Sequence, residues 1–289
     1  MKILLASPIY CSPWWGPWYD CGTFVMKALH QLGHSVAVWD YRMDKNPPKG
    51  SHDYDLAIVW KGEKYVHQAV GMLKCPKFCY WPDKFGRAPL DEEDLKLYDK
   101  VFTCTRPTPE GMIWLPTGWD QDFHANLHYP PERRSSDVLF IGTKSERKLR
   151  FLSEIKPDKI YGNGWESSWN IAGLVPPRPA IYLQEFVHVL NQHHIVVNVH
   201  RDDDGFNSRV FEFVACGFTL TDRVPGTEEV FGKELAAKIS FETPKQGKAM
   251  VEWYKTRPEL REALWQEEFK AIQPYTYKAA VERMISCLS

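Results

Sequence analysis

Between His200 and Gly217 the chain reads HRDDDGFNSRVFEFVACG. Consecutive carboxylates, a glycine, an asparagine, a serine and an arginine stand directly ahead of a run with helical apolar spacing. The start of such a helix offers backbone N–H groups with no partner inside it and the positive end of its dipole, a setting that suits phosphate. Asn207 or Ser208 can cap the helix, which begins near Arg209. Arg209 adds a permanent charge able to meet two phosphate oxygens at once. Glu212, one turn in, can accept hydrogen bonds from paired hydroxyls such as those of a ribose, and Asp204 on the loop can accept them from sugar hydroxyls. The plain alternative is a solvated loop and an N-capped core helix whose first-turn acids answer the dipole. His200 lies at the useful end of its strand but is a lone signal, whereas His193 and His194 precede the strand and read as structural.

Three other loops could contribute. In FIGTKSERK, Gly142 and Thr143 end a strand, Ser145 can cap the next helix, and Lys144, Arg147 and Lys148 are cations near its start. The stretch YGNGW gives backbone freedom at Gly162 and Gly164 beside Trp165, which could equally lie over the core. In SPIYCSPWWGPWYDCGTF, Trp14, Trp15 and Trp18 flank Gly16 in the sequence. Flat aromatic faces suit sugar rings and bases, and Gly16 would let the backbone approach a ligand; the alternative is an aromatic cluster buttressing a wall between domains. Asp83, in YWPDKFG, lies beyond a strand, either as a carboxylate for an acceptor hydroxyl or as a plain turn acid.

The elements that must position these residues alternate. KILLAS, SVAVWD, DLAIVW, KFCYW and KVFTC read as strands, with TFVMKALHQLGH and KYVHQAVGML as helices between them. Residues 124–136, polar and containing Pro-Pro, read as a linker. The alternation then restarts with strands DVLFIG, KIYG, HIVVNVH, FTLTD and KISFE, and helices SERKLRFLSEI, AIYLQEFVHVLNQ and SRVFEFVAC. The stretch from Gly247 onward is helical. Continuous apolar strands separated by helices imply parallel sheets covered on both faces. The expected organisation is a domain over 1–130 and a second over 131–289, whose terminal helices can pack back on the first.

With 289 residues, 44% of them hydrophobic, the chain has ample material for two cores. Its net charge is −1, and a split near residue 130 leaves 14 basic against 15 acidic residues before it and 22 against 22 after it. Neither half is a general magnet for nucleic acid or anionic lipid. Seven scattered cysteines suggest reduced thiols, and no further ligand follows the pair Cys75 and Cys79 to make a zinc site. The first residues are too short an apolar run for a signal peptide, and no segment is long enough to span a bilayer. The expected compartment is the cytoplasm.

DGFNSRVFEFVACGFTLTD resembles the nucleotide-sugar motif of group 1 glycosyltransferases with the GT-B fold, and is most similar to the branch of spore-maturation CgeB-like proteins. That family carries two acids separated by seven residues, the first usually Glu, then a small-Cys-Gly turn. Here the acids are Asp204 and Glu212, the first shorter by a methylene. YDKVFTC, IWLPTGWDQDFH, SSDVLFIGTKSERKLRFLSEI, KIYGNGW and IVVNVHRDDDGFNSR follow in the same order, and the amino-terminal third is similar more loosely through ALHQLGHSV.

The resemblance implies two Rossmann-like domains facing across a cleft, an acceptor side in the first and a nucleotide-sugar side in the second. It implies donor contacts at Gly16, Gly162, Gly164, Gly205, Phe206, Asn207, Arg209 and Glu212, and a diphosphate cation at Lys144 or Arg147. Asp204, Arg209 and Asp83 would serve the reaction, with Trp14, Trp15, Trp18 and Asp83 on the acceptor. The implied reaction moves a sugar from a nucleotide-diphosphate sugar, a UDP-sugar first among them, to a hydroxyl, with retention. No metal or other cofactor is expected, since the acids address sugar hydroxyls; Mg²⁺ dependence is the minor alternative. The acceptor stays open among saccharides, proteins, small molecules and a hydroxymethylated DNA base, the last disfavoured by the balanced charge. A GT-B-like nucleotide-sugar epimerase and a non-catalytic nucleotide-sugar binding protein are the competing readings.

Overall fold

A computed structural model describes residues 1–9, 21–48, 53–82, 92–125, 129–201 and 206–288. The first series of elements is β1 (Lys2–Ala6), α1 (Cys21–Gln31), β2 (Ser35–Trp39), β3 (Leu56–Trp60), α2 (Lys64–Gly71), β4 (Lys77–Trp81), α3 (Glu92–Leu95), β5 (Lys100–Thr103) and β6 (Met112–Trp114). Its six strands pair in parallel in the order β2-β1-β3-β4-β5-β6. The apolar continuity of LAIVW has its expected cause, for every residue of β3 is buried. Leu4, Trp39, Val59 and Cys79 from the strands meet Val66 and Val70 of α2 in one core cluster.

The second series runs α4 (Gln121–His124), β7 (Ser135–Ile141), α5 (Glu146–Ile155), β8 (Lys159–Tyr161), α6 (Leu183–Asn191), β9 (His193–Asn198), α7 (Arg209–Cys216) and β10 (Thr219–Asp222). It continues through α8 (Thr227–Ile239), β11 (Ser240–Phe241), α9 (Pro244–Lys255), α10 (Pro258–Ile272) and α11 (Tyr277–Ser286). The five strands are again all parallel, in the order β11-β10-β9-β7-β8. Leu139, Ile141 and Val196 from the sheet pack with Val187 and Leu190 of α6 and Phe213 and Cys216 of α7.

The chain divides into two compact units, Met1–Asp120 with Tyr275–Ser289, and Gln121–Pro274. The division falls ahead of the Pro-Pro pair, because α4 packs with α7 and Cys216 Sγ donates to the carbonyl of His124 at 3.4 Å. The last helix, α11, is part of the first unit. Tyr277 stacks on Phe24 with ring centroids 5.3 Å apart, and its N–H donates to the Trp119 carbonyl at 3.0 Å. Two elements were not assigned from the sequence. β6 is a three-residue strand, and α8 is broken at Gly232, where φ 73° and ψ 158° leave the helical region. A parallel β10–β11 pair needs a crossover of this kind.

Candidate active site

In a parallel sheet the carboxyl ends of the strands gather on one edge, where loops and helix starts can meet a ligand. In the second unit β7 runs out into Gly142, β8 into Gly162 and β9 into His200, while β10 ends on Asp222.

Gly142 organises this edge. A Cβ placed on it would meet Arg209 Nη1 at 3.2 Å and Lys148 Nζ at 3.4 Å, so a guanidinium and an ammonium stand over one bare Cα. Lys148 is buried, donates from Nζ to the Thr143 carbonyl at 3.0 Å, and sends its backbone N–H to Ser145 Oγ at 3.3 Å. That last bond is the cap expected for α5. Arg209 opens α7, is half-buried, and makes no hydrogen bond or ion pair among the described residues. Burial draws its guanidinium below the ordinary range, while the charge of Glu212 acts in the opposite direction. A buried cation with no acceptor is costly in isolation, and an anionic ligand relieves that cost.

Glu212 lies one turn along α7. Burial pushes its carboxyl up to about 7, and Arg209 restrains the rise. Its charge therefore changes near neutral pH, where it can shift from donating a proton to accepting hydroxyl hydrogen bonds. The cap of α7 comes from Asn207, whose Oδ1 accepts from the Val210 N–H at 3.3 Å; Ser208 makes no side-chain cap.

The loop after β8 is closed onto Gly142. A Cβ on Gly162 would stand 2.2 Å from the Gly142 carbonyl oxygen, so only glycine permits this approach, and its φ of 141° also favours glycine. Gly142 N–H donates to the Tyr161 carbonyl at 2.8 Å, and Lys144 N–H to that of Asn163 at 3.0 Å. Gly164, at φ 81°, faces Lys144 Cβ at an ordinary 3.5 Å from where its own Cβ would be. Trp165 is fully buried, donates from Nε1 to the Gly142 carbonyl at 2.8 Å and meets Phe140 edge-on. It is a support for Gly142 and not a stacking surface.

Several expected site residues are engaged elsewhere. Lys144 Nζ donates to Ser168 Oγ at 2.6 Å and lies 3.7 Å from Glu146. Arg147 is held on Asp222 Oδ2 by Nε at 3.1 Å and Nη2 at 2.8 Å. Lys148 is thus the α5 cation that joins Arg209 at Gly142. Successive helical residues point about 100° apart, and spacing alone did not say which one faces the edge. Phe206 is fully buried against His200, Phe211 and Phe231, so any ligand contact it makes comes from its backbone. Asp204, Gly205, Gly16, Trp14, Trp15, Trp18 and Asp83 lie outside the described residues.

One constellation was missed by sequence reasoning. His200 gives its backbone N–H to Asp222 Oδ1 at 2.9 Å, and its Nδ1 lies 2.6 Å from the same oxygen. Burial alone would raise the Asp222 carboxyl, but His200 and Arg147 outweigh it and hold the group below its usual range. The available signal was positional, since both residues sit at the carboxyl ends of apolar strands. Among the described residues no three His, Cys, Asp or Glu side chains group to hold a metal ion. No helix among them is long and apolar enough to cross a membrane.

Residues 144–286 match the family model described as glycosyl transferase-like. No curated protein sequence matches the chain significantly. The fold is similar to T4 phage β-glucosyltransferase, with TM-score 0.68 and 14% identity, over 100% of this chain and 98% of that one. It is similar to an α-glucosyltransferase solved with UDP and a 13-mer DNA containing an HMU base, with TM-score 0.69 and 9% identity, over 100% of this chain and 99% of that one. A glycosyltransferase from Rickettsia africae has TM-score 0.66 and 10% identity, over 99% of this chain and 97% of that one. The fold is that of GT-B enzymes, and residues 144–286, 143 of the 289, carry the match to the glycosyl transferase-like family model.

Proposed function

We propose that the protein moves a sugar from a nucleotide-diphosphate sugar, a UDP-sugar first among them, to an acceptor hydroxyl, without needing an added metal. The observation that carries this reading is Arg209, half-buried, without a hydrogen-bond partner among the described residues, and set with Lys148 over Gly142. A diphosphate supplies the missing acceptors. As the bond between the anomeric carbon and the phosphate oxygen breaks, negative charge grows on the leaving diphosphate, and fixed cations in a water-poor setting stabilise it. Glu212 takes the ribose hydroxyls and Asp204 the transferred sugar, while Gly162 and Gly164 shape the loop beside the nucleotide. Asp83 and the Trp14, Trp15 and Trp18 loop serve the acceptor. Retention is the expected outcome, the leaving phosphate assisting deprotonation of the acceptor on the same face.

The acceptor to try first is a hydroxymethylated DNA base, because a β-glucosyltransferase of this fold is a DNA modifying enzyme and the α-glucosyltransferase was solved on HMU-containing DNA. The near-neutral net charge sets this against saccharides and small molecules, which stay in the panel. The CgeB-like branch is the placement we favour within the family, and free thiols at Cys75, Cys79, Cys216 and Cys287 support a reducing, cytoplasmic setting. Thermal-shift screening with UDP-, GDP-, dTDP- and CMP-sugars tests the donor site, followed by transfer assays in which NMR anomeric coupling reads the linkage. If no nucleotide raises the melting temperature, the reading fails. Epimer formed without acceptor selects the epimerase, tight binding without transfer or hydrolysis selects a binding protein, and an inverted product makes Asp83 a general base.

A further inference from the structure

The geometry points to His200 as a donor-specificity residue whose Nε2 accepts a hydrogen bond from a hydroxyl of the nucleotide sugar, aligned for that task by Asp222 and Arg147. This deepens the proposed function and rests on it.

His200 follows β9, the middle strand of its sheet, and is 1% exposed. The pairing of Phe140 with Val197 places it at the same edge as Gly142 and the two cations. Asp222, kept below the usual carboxylate range, can only accept hydrogen bonds. The proton in the 2.6 Å contact between the two side chains therefore sits on His200 Nδ1. Asn198 Nδ2, 3.4 Å from that nitrogen, has Thr221 Oγ1 as its nearer acceptor at 3.1 Å. In the tautomer with the proton on Nδ1, the imidazole carries its lone pair on Nε2. Arg147 faces the other oxygen of Asp222 and shares with His200 in compensating its charge.

Nε2 is buried and has no hydrogen-bond partner among the described residues. A buried acceptor left unmet bears its full desolvation penalty, which native proteins rarely keep without a use. Here the orphan atom is also the one whose tautomer the surrounding groups set. A lone pair repels phosphate oxygens and matches an O–H donor, so the ligand atom is a hydroxyl, of the transferred sugar or of the ribose.

Calorimetry on the full-length protein decides this with UDP-glucose and UDP as probes, backed by the other nucleotide sugars and their free nucleotides. His200→Asn keeps a donor where Nδ1–H stands and removes the atom at Nε2; His200→Gln reaches the Nε2 position and gives up the bond to Asp222. We expect His200→Asn to weaken nucleotide-sugar binding about 10-fold with little change in melting temperature, and His200→Gln to recover part of that affinity at lower melting temperature. Loss confined to the nucleotide sugar identifies the transferred sugar as the partner, and equal loss on the free nucleotide identifies the ribose. Unchanged affinity in His200→Asn, or losses in both variants that track melting temperature, overturns the inference. Failure of the wild type to bind any of the nucleotides overturns the proposed function and the inference with it, a result distinct from equal binding by wild type and variant.

Discussion

At the carboxyl edge of the first sheet, Asp40 follows β2 and gives its carboxylate to the backbone N–H groups of Ile9 at 3.0 Å and Arg42 at 3.1 Å. In the same unit Lys27 meets Asp120 at 2.7 Å. At the carboxyl edge of the second sheet, Arg209 finds no such answer among the described residues, and it shares the space over Gly142 with another cation. Charges of the first kind fasten the fold to itself. Those of the second kind are held against electrostatic preference, and their return comes from a molecule outside the chain. Burial alone does not separate the two; the identity of the partner does.

The largest effect expected from this contrast is at Arg209. Arg209→Ala should weaken nucleotide binding about 100-fold, about 2.7 kcal/mol, with a melting temperature equal to or above that of the wild type. Calorimetry and thermal melts read both. A lowered melting temperature with intact affinity would make Arg209 a structural ion like Asp40. A smaller effect is expected at Glu212, whose folded carboxyl titrates at about 7 against an ordinary 4.5. Between those values the folded chain holds a proton that the unfolded chain has released, so stability falls as pH rises from 4.5 to 7. Denaturation curves should lose about 1 kcal/mol of that slope in Glu212→Gln, the half-buried position screening the rest. Glu268, also raised by burial, contributes in the same direction, and Glu268→Gln separates the two. The smallest effect is at Lys27→Met, which should cost about 0.5–1 kcal/mol in stability and nothing in nucleotide affinity. A drop in affinity there would blur the distinction between the two edges.

The alternation of elements was legible because buried parallel strands such as LAIVW are apolar without interruption and their helices are amphipathic. The Ser145 cap was legible for the same local reason. What escaped was decided at long range or by backbone exceptions. Gly232 hides α8 by breaking its helical run, and β6 is only Met112–Trp114. Arg147 and Lys148 are adjacent in sequence, and only Asp222, on a different strand, determines that the first turns away and the second faces Gly142. Phe206 read as part of a ligand motif, yet its ring fills the core beside Phe211 and Phe231. The motif at Arg209 and Glu212 was visible from spacing; the lone pair prepared on His200 was not, because its partner is 22 residues away.

The return of residues 275–289 to the first unit also bears on how the protein is made. Tyr277, which stacks on Phe24 and lies 6.1 Å from Trp60, is synthesised after every residue of the second unit. The usual order of synthesis-coupled folding, amino-terminal domain first, is therefore closed to this chain. Residues 121–274 are complete while the first unit still lacks helix α11, so the unit begun first is finished after the unit begun second.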